Sequence, residues 1–140
     1  MNKKNMLLKL HNADNNAIVG VNKKMVFAII SNRTSDNKLR SKIYLYSYCQ
    51  ISPFEVNEVP SFIIQPGDED FITLHDADNN EVIIINKDSI SIVDTVLKPY
   101  KNPKAKIYFD RCCSEMKSSI IVNESAEKII NEINKNDEKH

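Results

Sequence analysis

The sequence predicts a mainly β protein of the α+β class, with two tandem small β-rich modules and a C-terminal helix. The segment LHNADNN (10–16) recurs as LHDADNN (74–80), with six of seven residues identical. Such self-similarity at a fixed spacing is the first sign of a repeated structural unit. Short runs rich in Ile, Val, Tyr and Phe alternate with polar turns along both halves, as is typical of strands. Only residues 123–139 have the periodicity of a helix that is apolar on one face.

The repeat covers most of the chain at an offset of 64 residues. It holds as far as SKIYLY (41–46) and AKIYFD (105–110), then slips by two, so that FEVNE (54–58) matches IIVNE (120–124). We therefore expect a degenerate module over 1–64, a linker over 65–70 and a second module over 71–140. Because one module of this size buries little apolar surface alone, the copies are expected to pack about a pseudo-two-fold axis. Packing within one chain and exchange between chains both stay open.

Each unit contains five apolar runs that are predicted to be strands. In the first unit they cover 6–11, 17–21, 25–31, 42–48 and 54–56, and in the second 71–75, 81–85, 89–96, 105–110 and 119–122. The second strand of each unit is continuously apolar: IVGV in the first, VIII in the second. Continuous apolarity predicts that both of these strands are buried on two faces.

The two units are expected to end differently. In the second unit Asn123 is a candidate N-cap, and Glu124 and Glu127 lie in the first turn, where the helix dipole favours carboxylates. An apolar stripe follows at Ala126, Ile129, Ile130 and Ile133. In the first unit Pro60 fits only a first turn and Pro66-Gly67 prevents continuation, so a stunted helix is predicted.

Composition restricts the class of function. The chain has 140 residues, with 19 basic and 19 acidic side chains and no Trp. A neutral net charge with few aromatic residues argues against nucleic-acid binding, which favours basic surfaces and stacking platforms.

The cellular location follows from cysteine usage and hydropathy. The cysteines Cys49, Cys112 and Cys113 are odd in number and two are adjacent, which indicates reduced thiols and no disulfide framework. The first residues have no long apolar core of a signal peptide, and no apolar run approaches the ~20 residues of a membrane helix. We expect a cytoplasmic protein that does not enter a membrane.

The repeated His-Asp-Asn segment is interpreted first as a β-hairpin turn. Asn and Asp tolerate left-handed backbone and bond to their own main chain, but this interpretation leaves the His unexplained. A calcium loop fits poorly, because Glu81 stands where the loop glycine belongs and Lys87 where a bidentate Glu belongs. A metal-dependent enzyme is a third reading, in which His11 and His75 converge across the axis. No metal-ligand spacing supports it, so no catalytic residue, metal site or cofactor is predicted.

Two loops at matching positions are basic although the chain is neutral. They are SNRTSDNKLRSK (31–42) and TVLKPYKNPKAK (95–106). A pair of basic loops can hold a small anionic, nucleotide-like ligand. The candidate ligand-binding residues are Arg33, Lys38, Arg40, Lys98, Lys101 and Lys104.

The unit resembles short bacterial proteins of the FlbD-like flagellar and swarming-motility family and their uncharacterised relatives. The resemblance is carried in the second unit by Ile85, Asn86, Asp88 and Ile90, by Ile107 and Phe109, and by Val122, Glu124, Ser125, Glu127, Ile130 and Ile133. The first unit departs from the pattern at Lys24 and Pro60, and Asn80 stands where the family has a hairpin glycine. The resemblance implies a small β-rich regulatory or interaction module.

We therefore predict a non-catalytic interaction or regulatory protein. Its partner is another protein or a second copy of the chain, because open sheet edges invite pairing. The alternative is a protein that binds or sequesters a small anionic ligand between the two basic loops.

Overall fold

A computed structural model describes residues 7–46, 53–109 and 119–135, and it is mainly β. The first unit contains β1 (Leu7–His11), β2 (Ile18–Asn22), β3 (Val26–Arg33), β4 (Leu39–Leu45), β5 (Phe54–Val56) and the one-turn helix α1 (Pro60–Ile63). The second contains β6 (Phe71–His75), β7 (Val82–Asn86), β8 (Ile90–Val96), β9 (Lys104–Phe109), β10 (Ser119–Val122) and α2 (Ala126–Asn134). The predicted mainly β class and the stunted first helix are confirmed. The three cysteines, residues 47–48 of the fourth predicted strand and residues 136–139 of the predicted helix lie outside the described residues.

The strands form three antiparallel sheets. β1 and β2 form a hairpin of their own, and β8 to β10 form a sheet in the order β10-β9-β8. The central sheet has the order β5-β4-β3-β7-β6, so it contains strands of both units. The β3–β7 pair is therefore where the two halves of the chain join.

The sequence repeat has a counterpart in strand register. Leu10 lies opposite Val19 in the first hairpin, and Leu74 lies opposite Ile83 in the second. Each residue of the second pair follows its counterpart by 64 positions. The last strand of each unit follows the slip of two, because Val56 pairs with β4 as Val122 pairs with β9.

The central sheet is buried on both faces. On one face Ile29 and Ile84 pack with Leu10 of the first hairpin and Ile64 after α1. The opposite face packs against the β8–β10 sheet and α2, and its cluster includes Phe27, Ile83, Ile85, Ile107 and Ile129. The hydrophobic effect therefore holds three layers together around the strands that the two units share.

The prediction that both second strands are buried is half wrong. Four of the five β7 residues are buried, because β7 lies between two strands in a covered sheet. β2 has only β1 beside it, and Ile18 and Gly20 are exposed. A continuously apolar sequence therefore does not determine whether the strand has neighbours on both of its sides.

The predicted N-cap is also corrected. Ser125 caps α2, and its Oγ accepts a hydrogen bond from the Lys128 N–H at 3.2 Å. Asn123 precedes the helix, where its N–H donates to the His75 carbonyl at 2.8 Å. That bond keeps the chain at Asn123 beside the sheet, so the helix begins after it. None of the helices in the described ranges has the length and apolarity to cross a membrane.

Candidate functional site

The two repeated histidines are each held by a glutamate of the same unit. The His11 backbone N–H donates to Glu58 Oε1 at 3.0 Å, and its Nδ1 lies 2.6 Å from Oε2. The corresponding distances from His75 to Glu124 are 3.0 and 2.7 Å. Each glutamate therefore binds both the main chain and the ring at the end of a strand.

The turn after each histidine is built by its Asn and Asp side chains. In the first unit Asn12 Oδ1 accepts from the Asp14 N–H at 2.8 Å, and Asn15 Oδ1 accepts from the Ala17 N–H at 2.9 Å. Asn16 has a φ of 63° in the left-handed region, which Asn tolerates better than most residues. The hairpin interpretation of the repeated segment is supported in detail by these bonds.

The second unit repeats the same turn. Asp76 Oδ1 accepts from the Asp78 N–H at 2.7 Å, Asn79 Oδ1 accepts from the Glu81 N–H at 2.9 Å, and Asn80 has a φ of 62°. The motif therefore forms the same side-chain to backbone hydrogen bonds in the turns of both units.

The tripeptide Val-Asn-Glu at 56–58 and 122–124 closes each turn. The Asn57 N–H donates to the His11 carbonyl at 2.9 Å, and its Nδ2 donates to Asn16 Oδ1 at 2.8 Å. Asn123 makes the corresponding bonds to His75 and Asn80. The sequence prediction missed Glu58 and Glu124 as partners, although the shared Val-Asn-Glu was the signal that could have found them.

The electrostatics favour an ionised Glu58. Burial of the carboxyl group raises its pKa, but the hydrogen bonds from the His11 ring and backbone outweigh burial, and the pKa lies below its ordinary value. The Glu58 side chain is only 14% exposed, whereas the His11 side chain is 41% exposed. The pair is therefore an anchored carboxylate with an imidazole edge open to solvent.

The positions of the two histidines bear on the hypothesis that His11 and His75 converge at a metal or catalytic site. Within the described ranges, no three His, Cys, Asp or Glu side chains are grouped to hold a metal ion. His11 and His75 each bind their own glutamate at separate turns. The contacts therefore assign the two histidines to turn closure, which explains the one repeated residue that the hairpin interpretation left unexplained.

The predicted ligand-binding residues of the first basic loop lie in two environments. Arg33 Nε lies 3.2 Å from Glu81 Oε2, and its Nη1 donates to the Asn37 carbonyl at 3.3 Å. Lys38 and Arg40 line a groove of about 450 Å³ together with the 13–16 turn. Of the described residues that line this groove, none belongs to the second loop, and one is the acidic residue Asp14.

The second basic loop is more exposed. Lys98 and Lys101 are exposed. Lys104 Nζ donates to Asn123 Oδ1 at 2.9 Å and lies 5.0 Å from the centroid of the Tyr100 ring. Two of the six candidates, Arg33 and Lys104, thus already have protein partners, and an anionic ligand stays a prediction.

A different surface is formed by strand edges. Of the described strands, β8 pairs only with β9, and β2 pairs only with β1. Ile92 in β8 is 55% exposed, and Ile18 in β2 is 64% exposed. A strand edge without a partner, with exposed apolar side chains, can pair with a strand of another chain. Natural proteins usually protect such edges from this pairing. We take these two edges as the candidate interaction surface.

Comparisons with models of protein families, with curated proteins and with solved structures found no match to this chain.

Proposed function

We propose that this chain is a non-catalytic interaction protein whose contact surface is formed by two of its strand edges, those of β2 and β8. The observation that carries the proposal is the exposure of Ile92 within β8, a strand that pairs with β9 on one side and has no strand on its other side among the described residues. Ile92 is 55% exposed, so burying the rest of its side chain against a partner strand gains roughly half of the ~1.5–3 kcal/mol that full burial of an isoleucine provides. The added strand also satisfies backbone groups that the edge leaves to water.

The role of the repeated motif supports this proposal. The residues shared between the units close hairpin turns, and the hydrogen bonds of His11 and His75 to their glutamates account for both. The repeat is thus explained by the architecture of a scaffold, and the proposal does not require it to carry chemistry. A regulatory role is what the family resemblance would add.

Photo-crosslinking within cells tests the proposal. The full chain is produced with a benzoylphenylalanine in place of Ile92, and a matched chain carries it in place of Phe62. Both side chains are strongly exposed, but Phe62 lies on α1 and not on a strand edge. We expect discrete crosslinked products from position 92 and none from position 62. The absence of a product at position 92, or the same products from both positions, would contradict the proposal.

Salt dependence separates this proposal from the anionic-ligand alternative. Binding that depends on phosphate contacts with Arg40 and Lys98 would weaken as ionic strength rises, because ions screen exposed charges. Association through apolar strand edges would persist. Crosslinking at position 92 is therefore repeated in a cell extract at low and at high salt, where we expect the products to remain.

A further inference from the structure

We infer that the partner of these edges is a second copy of this chain, with β2 of one copy paired antiparallel to β8 of the other. This inference rests on the proposed function. Its template is the β3–β7 pair, which joins the two units within the chain by pairing Ala28 with Ile85 and Ile30 with Ile83. At the repeat offset of 64, β8 is the counterpart of β3 and β2 is the counterpart of β7.

The repeat defines two equivalent strand pairings, β3 with β7 and β8 with β2. The boundary between the two units of one chain contains only the first of them. A closed two-fold arrangement of the units would pair β2 with β8 as it pairs β7 with β3. Within the described chain, β2 and β8 each have a partner on one side only. The register of the missing pair follows from the template: Ile92 opposite Val21, Val93 opposite Gly20 and Asp94 opposite Val19 of the other copy.

The exposed apolar side chains lie where this pairing would cover them. Ile92 is 55% exposed, but its counterpart Ala28 is completely buried in the β3–β7 boundary. Ile18 is exposed, and its counterpart Val82 packs against a core cluster. Strand addition at β8 would therefore place both side chains in the environment that their counterparts already have.

A second pair of exposed residues points to the same contact. Leu7 is exposed, but its counterpart Phe71 is buried in one cluster with Ile64. Ile64 corresponds to Ile130 at the offset of 66, and Ile130 is exposed on α2. A β1–β2 hairpin added to β8 would bring Leu7 of one copy toward Ile130 of the other. Ile92, Ile18, Leu7 and Ile130, four of the large apolar residues that are exposed in the described ranges, thus belong to the same proposed contact.

Polar groups at the template boundary have counterparts too. Ser31 Oγ donates to the Val82 carbonyl at 3.0 Å, and Asn86 Nδ2 donates to the Val26 carbonyl at 3.2 Å. Thr95 and Asn22 stand at the equivalent positions and retain the hydroxyl and the amide. The same hydrogen bonds are therefore available between two copies.

An ion pair of the template is replaced by an apolar pair. Arg33 and Glu81 meet across the β3–β7 boundary at 3.2 Å. Their counterparts are Leu97, which is exposed, and Ala17. Both members change together from charged to apolar, so these two positions of the second boundary stay complementary, with no charge left unpaired at them.

The contact is heterologous, because β2 of one copy binds β8 of another. Such contacts close into a ring when the rotation between copies allows it and otherwise extend. This asymmetry gives a test that nonspecific association cannot mimic. A chain blocked at β8 keeps a free β2, and a chain blocked at β2 keeps a free β8.

The test measures masses by native mass spectrometry and sedimentation for the full chain and three variants. We expect the unmodified chain to form a multimer whose fraction rises with concentration. Ile92→Lys and Ile18→Lys are each expected to be monomeric, and both side chains are exposed within one copy, so neither substitution disturbs its core. Phe62→Lys is the matched control and should assemble like the unmodified chain, since its counterpart is Lys128.

Mixing the two blocked variants is the decisive step. The Ile92→Lys and Ile18→Lys chains together should form a one-to-one heterodimer, because one intact β2–β8 pair becomes available. A monomeric unmodified chain, loss of assembly in Phe62→Lys, or failure of the mixture to pair would overturn the inference. If such a failure accompanies position-92 crosslinks to a different protein, only the identity of the partner is wrong; if crosslinks are also absent, the proposed function fails with it.

Discussion

The imidazole of His11 and the carboxylate of Glu58 form a 2.6 Å contact that joins the end of the first strand to the segment after the fifth. The same contact recurs between His75 and Glu124 at 2.7 Å. In each unit the glutamate also accepts a backbone N–H bond from its histidine. This contact holds the hairpin and the last strand of a unit together, and in the first unit the lowered pKa of Glu58 makes stability depend on pH.

Glu58→Gln is expected to lower the free energy of unfolding at pH 7 by about 1–2 kcal/mol, since hydrogen bonds to charged groups are stronger than neutral ones. The pKa of Glu58 is lowered in the folded state, so its contribution is present above the unfolded-state pKa and lost as pH falls through the folded pKa. Urea unfolding at neutral pH and at successively lower pH values below the ordinary pKa of 4.5 measures this dependence. The difference in free energy of unfolding between Glu58→Gln and the unmodified chain should become smaller in acid.

Asp14→Asn is the control for that measurement. Asp14 is exposed in the same turn, and its substitution should change stability little at either pH. A gap between Glu58→Gln and the unmodified chain that is the same at both pH values would contradict the role assigned to the carboxylate.

Ser125→Ala is expected to destabilise the chain by about 1 kcal/mol, because it removes the side-chain acceptor for the Lys128 N–H at the start of α2. Helix content by circular dichroism and the midpoint of thermal unfolding report the loss. Ser35→Ala, at an exposed turn position, is the matched substitution and should have little effect. Equal effects of the two substitutions would show that Ser125 does not act as the cap.

Gly20→Ala is expected to stabilise the chain by about 0.5–1 kcal/mol, because glycine within a strand costs that much relative to alanine. A Cβ at Gly20 would meet only Leu7, at ordinary contact distances of 3.8 Å. Gly67→Ala is the contrasting variant, because Gly67 has a φ of 90° that strains any side chain. Urea unfolding should move in opposite directions for the two variants, and destabilisation by Gly20→Ala would contradict the open geometry at β2.

Sequence patterns predicted the strands well because apolar runs and turn residues are local signals. The β5, β6 and β10 bounds agree with prediction, β4 begins three residues before its predicted start, and the bounds of the other strands differ by at most two residues. The N-cap was missed because Asn123 and Ser125 are both good caps, and the choice depends on the Asn123 bond to His75 across the sheet. Local chemistry alone could not distinguish them.

The contacts of the candidate site were harder to predict from the sequence than the strands. Glu58 is 47 residues from His11, so their contact depends on which strands pair. The different burial of β2 and β7 depends on their neighbours, since the two strands are similarly apolar in sequence. The six basic candidates were chosen by charge, and charge could not reveal that Arg33 already contacts Glu81.

Amide hydrogen exchange at low and high protein concentration tests the β2–β8 pairing most directly. We expect exchange to slow with concentration in Ile18–Asn22 and Ile90–Val96 together, because pairing between copies protects both edges. The β5 strand, Phe54–Val56, is an edge of the central sheet and serves as the internal reference, with no expected change. Equal exchange at both concentrations in β2 and β8, or protection of only one of them, would contradict the account.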